Sequence, residues 1–300
     1  MEKRILAKPD VSVTVLGFGA MEIPKLEGKE ASALLNQVLD EGINFIDTSP
    51  CYGPSEEMIG NALAGRRKEY FLSSKCCCNT FGPGPGHIFD RATAMKNIDN
   101  SLKVMKTDYL DIMQLHAPMP EDLPGGPKDD LVETLYDMKR AGKIRHACIT
   151  FKNSGPTDPK YPAIYGYECL KAFMDWGVFD TMQAVFGGLS RSSELAIAKA
   201  AEKGIGIIVR GSLKRYFPNY DELYDKAGLD ELCEAGEDRN SFLLRYAITS
   251  AGVSTVIVGT KDPEHLKANI AAANKGSLPM EVYKKAQAKL AAIGIKPVSV

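Results

Sequence analysis

Along the chain, short apolar runs rich in β-branched residues alternate with longer stretches of helical period. Val13-Thr14-Val15-Leu16-Gly17 is the first buried-strand pattern, and the polar piece before it suits a hairpin across the floor of a barrel. At about 29–41, Ala31, Leu34, Leu35 and Val38 fall at i, i+3, i+4 and i+7 with Gly42 just past the end, which predicts a helix. Further strands are predicted at 44–48, 70–75, 109–115, 144–150, 181–185, 205–209 and 255–258. Helices are predicted near 55–64, 90–105, 129–141, 165–176, 190–203, 239–250 and 262–273, with a last one near 279–293 beyond the repeat. Eight strands alternating with helices imply a parallel sheet covered on its outer face. At 300 residues the economical closure is a single (β/α)8 TIM barrel with an N-terminal hairpin and an extra C-terminal helix. No Pro/Gly/Ser-rich linker divides the chain, so residues 1–300 read as one domain.

Composition narrows the partners. The chain is 44% apolar and carries 37 basic and 38 acidic residues, a formal charge of −1, so it lacks the basic footprint that nucleic-acid binding needs. No apolar run approaches the length of a membrane span, and the start does not read as a secretory signal. Seven cysteines without a regular framework suit thiols in a reducing cytoplasm. The oligomeric state is not legible in the sequence.

In a barrel of this kind the reactive groups sit at the C-terminal ends of the strands, and three apolar runs end in a titratable residue. These are Asp47, Lys75 and His116, and Tyr52 lies on the turn after Asp47. A phenol is a poor acid at neutral pH, a neighbouring ammonium favours its phenolate, and a carboxylate keeps that ammonium charged and oriented. A neutral imidazole can hydrogen-bond a substrate oxygen beside the phenol. Tyr52, Lys75, Asp47 and His116 suit those four roles in that order. Taken singly, each has a plainer reading, as a strand-end cap, a solvated lysine, a packed ring or a satisfied imidazole.

The stretches Leu16-Gly17-Phe18-Gly19, Gly42-Ile43-Asn44-Phe45-Ile46-Asp47-Thr48-Ser49-Pro50-Cys51-Tyr52-Gly53, Gly142-Lys143-Ile144-Arg145 and Val256-Ile257-Val258-Gly259-Thr260-Lys261 make the chain resemble the aldo-keto reductases over nearly its whole length. The resemblance implies reduction of a small-molecule aldehyde or ketone with NADPH, NADH being the less favoured cofactor, and fills all four positions of the family's catalytic tetrad. It also implies cofactor contacts from Gly19, Ala20, Met21 and Asp47, and from Thr150 and Gln183 on the nicotinamide carboxamide. Gly211, Ser212 and Leu213 are implied at the pyrophosphate loop. Phe151 replaces a family asparagine, and Arg210 stands where relatives often stack an aromatic ring. Around the last strand-to-helix turn the implied contacts are Gly259, Thr260, Lys261, His265 toward a 2′-phosphate and Asn269 toward the adenine. Free helix N-terminal amides there suit a phosphate.

Phe151 and Arg210 keep a second reading open, a cofactor-binding regulatory subunit with little turnover. A Schiff-base lyase using Lys75 ranks behind both, because Asp47 keeps the amine protonated. Gly17 and Gly19 do not complete a dinucleotide fingerprint, since Glu22 takes the third glycine's place. The triplet Cys76-Cys77-Cys78 lacks the paired spacing of a structural zinc site, so no metal is expected, and His87 and His146 read as surface or packing residues. Trp176 is expected to pack with Phe173 and Val178. The segment after Gly294 is too short for a long lid, which implies an open mouth.

Overall fold

The computed structural model describes residues 1–80, 86–151, 165–213 and 219–299. Eight parallel strands close into a barrel: β3 (Leu16–Gly19), β4 (Phe45–Asp47), β5 (Phe71–Cys76), β6 (Leu110–His116), β7 (Ile144–Thr150), β8 (Thr181–Val185), β9 (Gly206–Arg210) and β10 (Thr255–Val258). They pair in chain order, and β10 closes on β3 through Val256 opposite Leu16. Each is flanked by helices that bury one apolar stripe. In α1 (Gly28–Asp40) the stripe is Ala31, Leu34, Leu35 and Val38, as the period predicts, and a capping box between Glu27 and Glu30 starts the helix.

The others are α2 (Ser55–Leu63), α3 (Arg91–Val104), α4 (Asp130–Arg140), α5 (Tyr165–Met174), α6 (Glu194–Glu202), α7 (Tyr220–Ala227), α8 (Arg239–Thr249) and α9 (Pro263–Lys275). The C-terminal α10 (Met280–Ala292) lies beyond the repeat. The eight-strand barrel, its floor hairpin and this extra helix are the predicted architecture. The short α7 is an addition, because its polar sequence YDELYDKA carries only Tyr220, Tyr224 and Ala227 inward.

The first strand differs from its predicted bounds. Val11–Thr14 forms β2, antiparallel to β1 (Lys3–Ala7), and the chain enters the barrel only at Leu16. Both halves of Val13-Thr14-Val15-Leu16-Gly17 are buried, so hydropathy cannot separate them. The hairpin plugs the barrel floor: Leu6, Ala7, Val11 and Val13 pack on Phe45, Ile112, Cys148 and Ile208 inside the barrel. Its approach is so close that a Cβ on Gly206, the first residue of β9, would lie 1.6 Å from the Leu6 carbonyl oxygen. Only glycine fits there.

Of the two readings for His146, packing holds, because it is part of this floor. It is buried, with Nε2 3.4 Å from Asp10 and Nδ1 3.5 Å from Asp180. Trp176 packs edge-on against Phe173 at 4.7 Å, as expected, and also faces Phe179. Of the Pro/Gly-rich stretch after β5, residues 81–85 lie outside the described residues. The stretch after β6 forms two short 3-10 turns at Pro120–Asp122 and Gly126–Lys128. The final segment is tied down: Val298 N–H donates to Ser192 O at 3.3 Å, and Tyr167 Oη to Ser299 O at 2.5 Å.

Candidate active site at the C-terminal mouth of the barrel

β4 is only three residues long and ends in Asp47, after which the chain turns back over the barrel mouth. Two contacts hold that turn: Thr48 N–H donates to Ser73 O at 2.9 Å, and Tyr52 N–H to Ser49 O at 3.0 Å. Gly53 follows at φ +57°, the left-handed geometry that lets the chain drop straight into α2. Ser55 then donates to Ala20 O at 2.9 Å and lies 2.9 Å from Thr48 Oγ1, locking the turn to the loop after β3. Tyr52 is therefore carried on a short turn pinned at both ends.

Lys75, on β5, points into the barrel beside Asp47. Its Nζ donates to Asp47 Oδ2 at 2.7 Å and to Thr48 O at 2.6 Å, and both side chains are buried. The ammonium lies 5.1 Å from the centroid of the Tyr52 ring. Burial pulls Lys75 toward neutrality, but Asp47 first and then Tyr52 outweigh it, so the amine is held above its ordinary value. The other carboxylate oxygen, Asp47 Oδ1, accepts from Gln114 at 2.5 Å and from Gln183 at 3.0 Å. Gln114 also donates to Ser73 at 2.7 Å. These amide donors satisfy lone pairs that a buried carboxylate otherwise leaves bare.

His116 ends β6 with its ring 6.5 Å from that of Tyr52, edge to face. Burial, followed by the positive charge of Lys75 and the neighbouring His87, lowers it to about 4 against the opposing pull of Cys51, so the ring is neutral at neutral pH. The three strand-end residues and Tyr52, all singled out from sequence, thus meet at one mouth.

The residues expected to hold a cofactor fall into three groups around the same mouth. Thr150 ends β7 and lies 3.4 Å from Gln183 Oε1, so Gln183 bridges Thr150 and Asp47. Arg210, at the end of β9, donates to Phe151 O at 2.7 Å. The Phe151 ring stacks on Phe173 of α5 at 5.9 Å and belongs to the outer core, not the mouth. Next come Gly211, Ser212 and Leu213. The Ser212 hydroxyl is buried and has no hydrogen-bond partner among the described residues, the state expected of a group that waits for a ligand.

Gly19, followed by Ala20 and Met21, lies against Gly259, and a Cβ on Gly259 would come within 2.6 Å of Gly19 O. Thr260 is buried beyond it, whereas Lys261 and His265 are exposed and Asn269 is half-buried. One amide of the α9 N-terminus is already taken, because Asp262 caps the helix by accepting from Glu264 N–H at 2.9 Å. Asp262 also approaches His265, at 3.8 Å, and brings negative charge to the place where a phosphate was expected.

Several residues of the mouth carry no signal of their own in the sequence. Gln114 sits inside an apolar strand and reads as filler until β4 and β5 bring Asp47 and Ser73 to it. Cys51, Cys78 and His87 gather around His116. Cys78 Sγ lies 3.1 Å from His116 Nδ1, Ser49 Oγ lies 3.4 Å from both, and the His87 ring is 4.4 Å from that of His116. The cysteine triplet divides three ways: Cys76 ends β5, Cys77 turns outward at φ +67°, and only Cys78 reaches the mouth. His87 is accordingly a member of the mouth and not a lone surface residue.

A closed parallel barrel with a buried lysine–carboxylate pair beneath a tyrosine at its C-terminal mouth defines a class of (β/α)8 enzyme. The chain belongs to the aldo/keto reductase family, whose model matches residues 15–291. It is 26% identical to the uncharacterized oxidoreductase YqkF of Bacillus subtilis, covering 96% of each chain. With the L-galactose dehydrogenase of Arabidopsis thaliana it shares 27% identity over 91% of this chain and 88% of that one. The holo form of an aldo-keto reductase from Bacillus halodurans superposes with a TM-score of 0.82, at 25% identity and 96% coverage of both chains. Family and fold together mark an oxidoreductase that acts on carbonyls. Among the described residues no helix is long and apolar enough to cross a membrane.

Proposed function

We propose that this protein reduces an aldehyde or ketone to an alcohol with NADPH, and that Tyr52 is the general acid. The single observation that carries the reading is the buried Lys75–Asp47 pair beneath the Tyr52 ring, with a neutral His116 alongside.

The reduced nicotinamide, when bound, supplies a hydride to the carbonyl carbon. The orphaned hydroxyl of Ser212 and the glycine-lined contact between Gly19 and Gly259 suit a cofactor lying across the ends of β3, β9 and β10. Tyr52 gives its proton to the carbonyl oxygen as charge develops there. The Lys75 ammonium stabilises the phenolate left behind, and Asp47, held by Gln114 and Gln183, keeps that ammonium charged and in place. His116, neutral, donates an N–H toward the same oxygen and orients it. Thr150 and Gln183 would hold the nicotinamide carboxamide. Arg210 reaches across β8 to the end of β7, where its bond to Phe151 O fixes the guanidinium beside the expected nicotinamide position. Lys261 and His265 favour a 2′-phosphate, and Asp262 beside them reduces the margin over NADH. The small-molecule substrate and a cytoplasmic location belong to the same proposal.

The test is oxidation of NADPH and of NADH over a carbonyl panel, with Tyr52→Phe in parallel. Loss of a positioned acid lowers kcat by roughly 10²- to 10⁴-fold. A Tyr52→Phe variant that reduces an aromatic aldehyde as fast as the wild type refutes the assignment. Tight NADPH binding without turnover on any carbonyl favours instead the regulatory-subunit reading.

A further inference from the structure

We infer that Cys51, Cys78, His87 and His116 form a site for one thiophilic divalent cation, Zn2+ by chemistry, at the edge of the mouth. One ligand atom from each lies within 4.8 Å of all the others. Around a tetrahedral zinc with bonds of about 2.0–2.3 Å, neighbouring ligand atoms are ~3.3–3.8 Å apart. The cluster is thus within about an ångström of closing, and Cys78 Sγ and His116 Nδ1, at 3.1 Å, are already that near. Two sulfurs and two imidazole nitrogens in a tetrahedron are a donor set for zinc, and the absence of carboxylates from it disfavours calcium and magnesium.

The ligands come from three places in the fold: the turn before α2, a bridge after β5 and the end of β6. Cys51 sits on the pinned turn before α2, is exposed, and provides the entry, while its N–H donates to Ser49 Oγ at 3.2 Å. Cys78 and His87 face each other across an antiparallel bridge, flanked by Asn79 N–H to Gly86 O at 3.0 Å and Ile88 N–H to Cys77 O at 2.9 Å. Buried Asn97 of α3 accepts from Cys78 N–H at 2.8 Å and fixes that bridge to the helix layer. His116 is fixed by β6. A second observation points to a ligand: His87 Nε2 is buried and has no hydrogen-bond partner among the described residues. Left-handed backbone at Cys77 and Ala117, neither a glycine, flanks two of the ligands.

Binding replaces the proton on each protonated thiol, so Zn2+ enters, up to two protons leave, and the two thiolates balance the charge of the ion. Coordination through His116 Nδ1 leaves Nε2 as the protonated nitrogen. On the reductase reading above, on which this step alone rests, that is the tautomer that donates to a carbonyl oxygen.

The experiment uses the full chain, reduced and stripped with a chelator, then titrated with Zn2+ or with Co2+ as a spectroscopic probe. One ion per chain is expected, with a thiolate-to-cobalt charge-transfer band, and Cys78→Ser and His87→Ala each weaken binding at least tenfold. His87→Ala removes a half-buried ring and keeps the backbone of the bridge, so it keeps the test decisive if Cys78→Ser does not fold. No stoichiometric uptake, or uptake indifferent to both substitutions, overturns the inference. Tyr52-dependent reduction in a chain that takes up no metal also overturns it and leaves the functional reading intact. Uptake by the four ligands in a chain that reduces no carbonyl sustains the site and removes the functional reading.

Discussion

Replacing Lys75 by methionine tests the centre of the site through stability, without reference to turnover. Lys75 and Asp47 are 1% and 2% exposed and 2.7 Å apart, so the methionine leaves a buried carboxylate without its countercharge. Breaking a buried pair from one side costs about 3–5 kcal/mol. The lower end applies here, because Gln114 and Gln183 still donate to Asp47 Oδ1. Asp47→Asn alone strands the ammonium on the single carbonyl of Thr48 and costs about as much. In the double variant neither charge is buried. It is expected to be more stable than either single variant, with a coupling energy of roughly 3 kcal/mol. Denaturant unfolding reads this as a shift of midpoint at constant slope, and melting reads about 2 °C for each kcal/mol. If Lys75→Met unfolds with the wild type, or if the two losses simply add, the pair is not the buried, mutually dependent unit described above.

Glu56, buried at the start of α2, has its carboxyl pushed up from 4.5 to about 6 by burial, against hydrogen bonds from Ser74 and Ser101. The native state therefore holds that proton more tightly than the unfolded chain, and stability present below pH 4.5 is lost as pH rises through about 6, in all about 2 kcal/mol. Glu56→Gln should melt higher than the wild type at pH 7 and no higher at pH 4; an equal gap at both would discredit the linkage. Gly206→Ala places a methyl 1.6 Å from Leu6 O, so the floor hairpin must shift. A loss of about 1–3 kcal/mol, with faster amide exchange in β1 and β2, is expected, and an unchanged melting temperature would count against the close contact.

The alternation of strands and helices was legible because each element has one buried face and its period shows which. That reasoning placed the seven later barrel strands within a residue or two, and it placed Asp47, Lys75 and His116, because a polar residue closing an apolar run is visible locally. It misjudged the first strand, where hairpin and barrel are both buried and the one polar residue at the bend, Thr14, is buried as well.

What the sequence determined by itself is the order of elements and the chemistry that each strand end can offer. Which of those ends face one another is set by barrel closure, a property of the whole sheet. Gln114 became a ligand of Asp47 only through the register of β5 with β6, which sets Ser73 opposite Ile112 and Lys75 opposite Gln114. Cys51 and Cys78 are 27 positions apart with His87 and His116 farther on, a spacing that matches no local metal pattern. Their meeting depends on a turn, an antiparallel bridge and a strand end packed at one mouth, and that packing is decided by hydrophobic burial elsewhere in the chain.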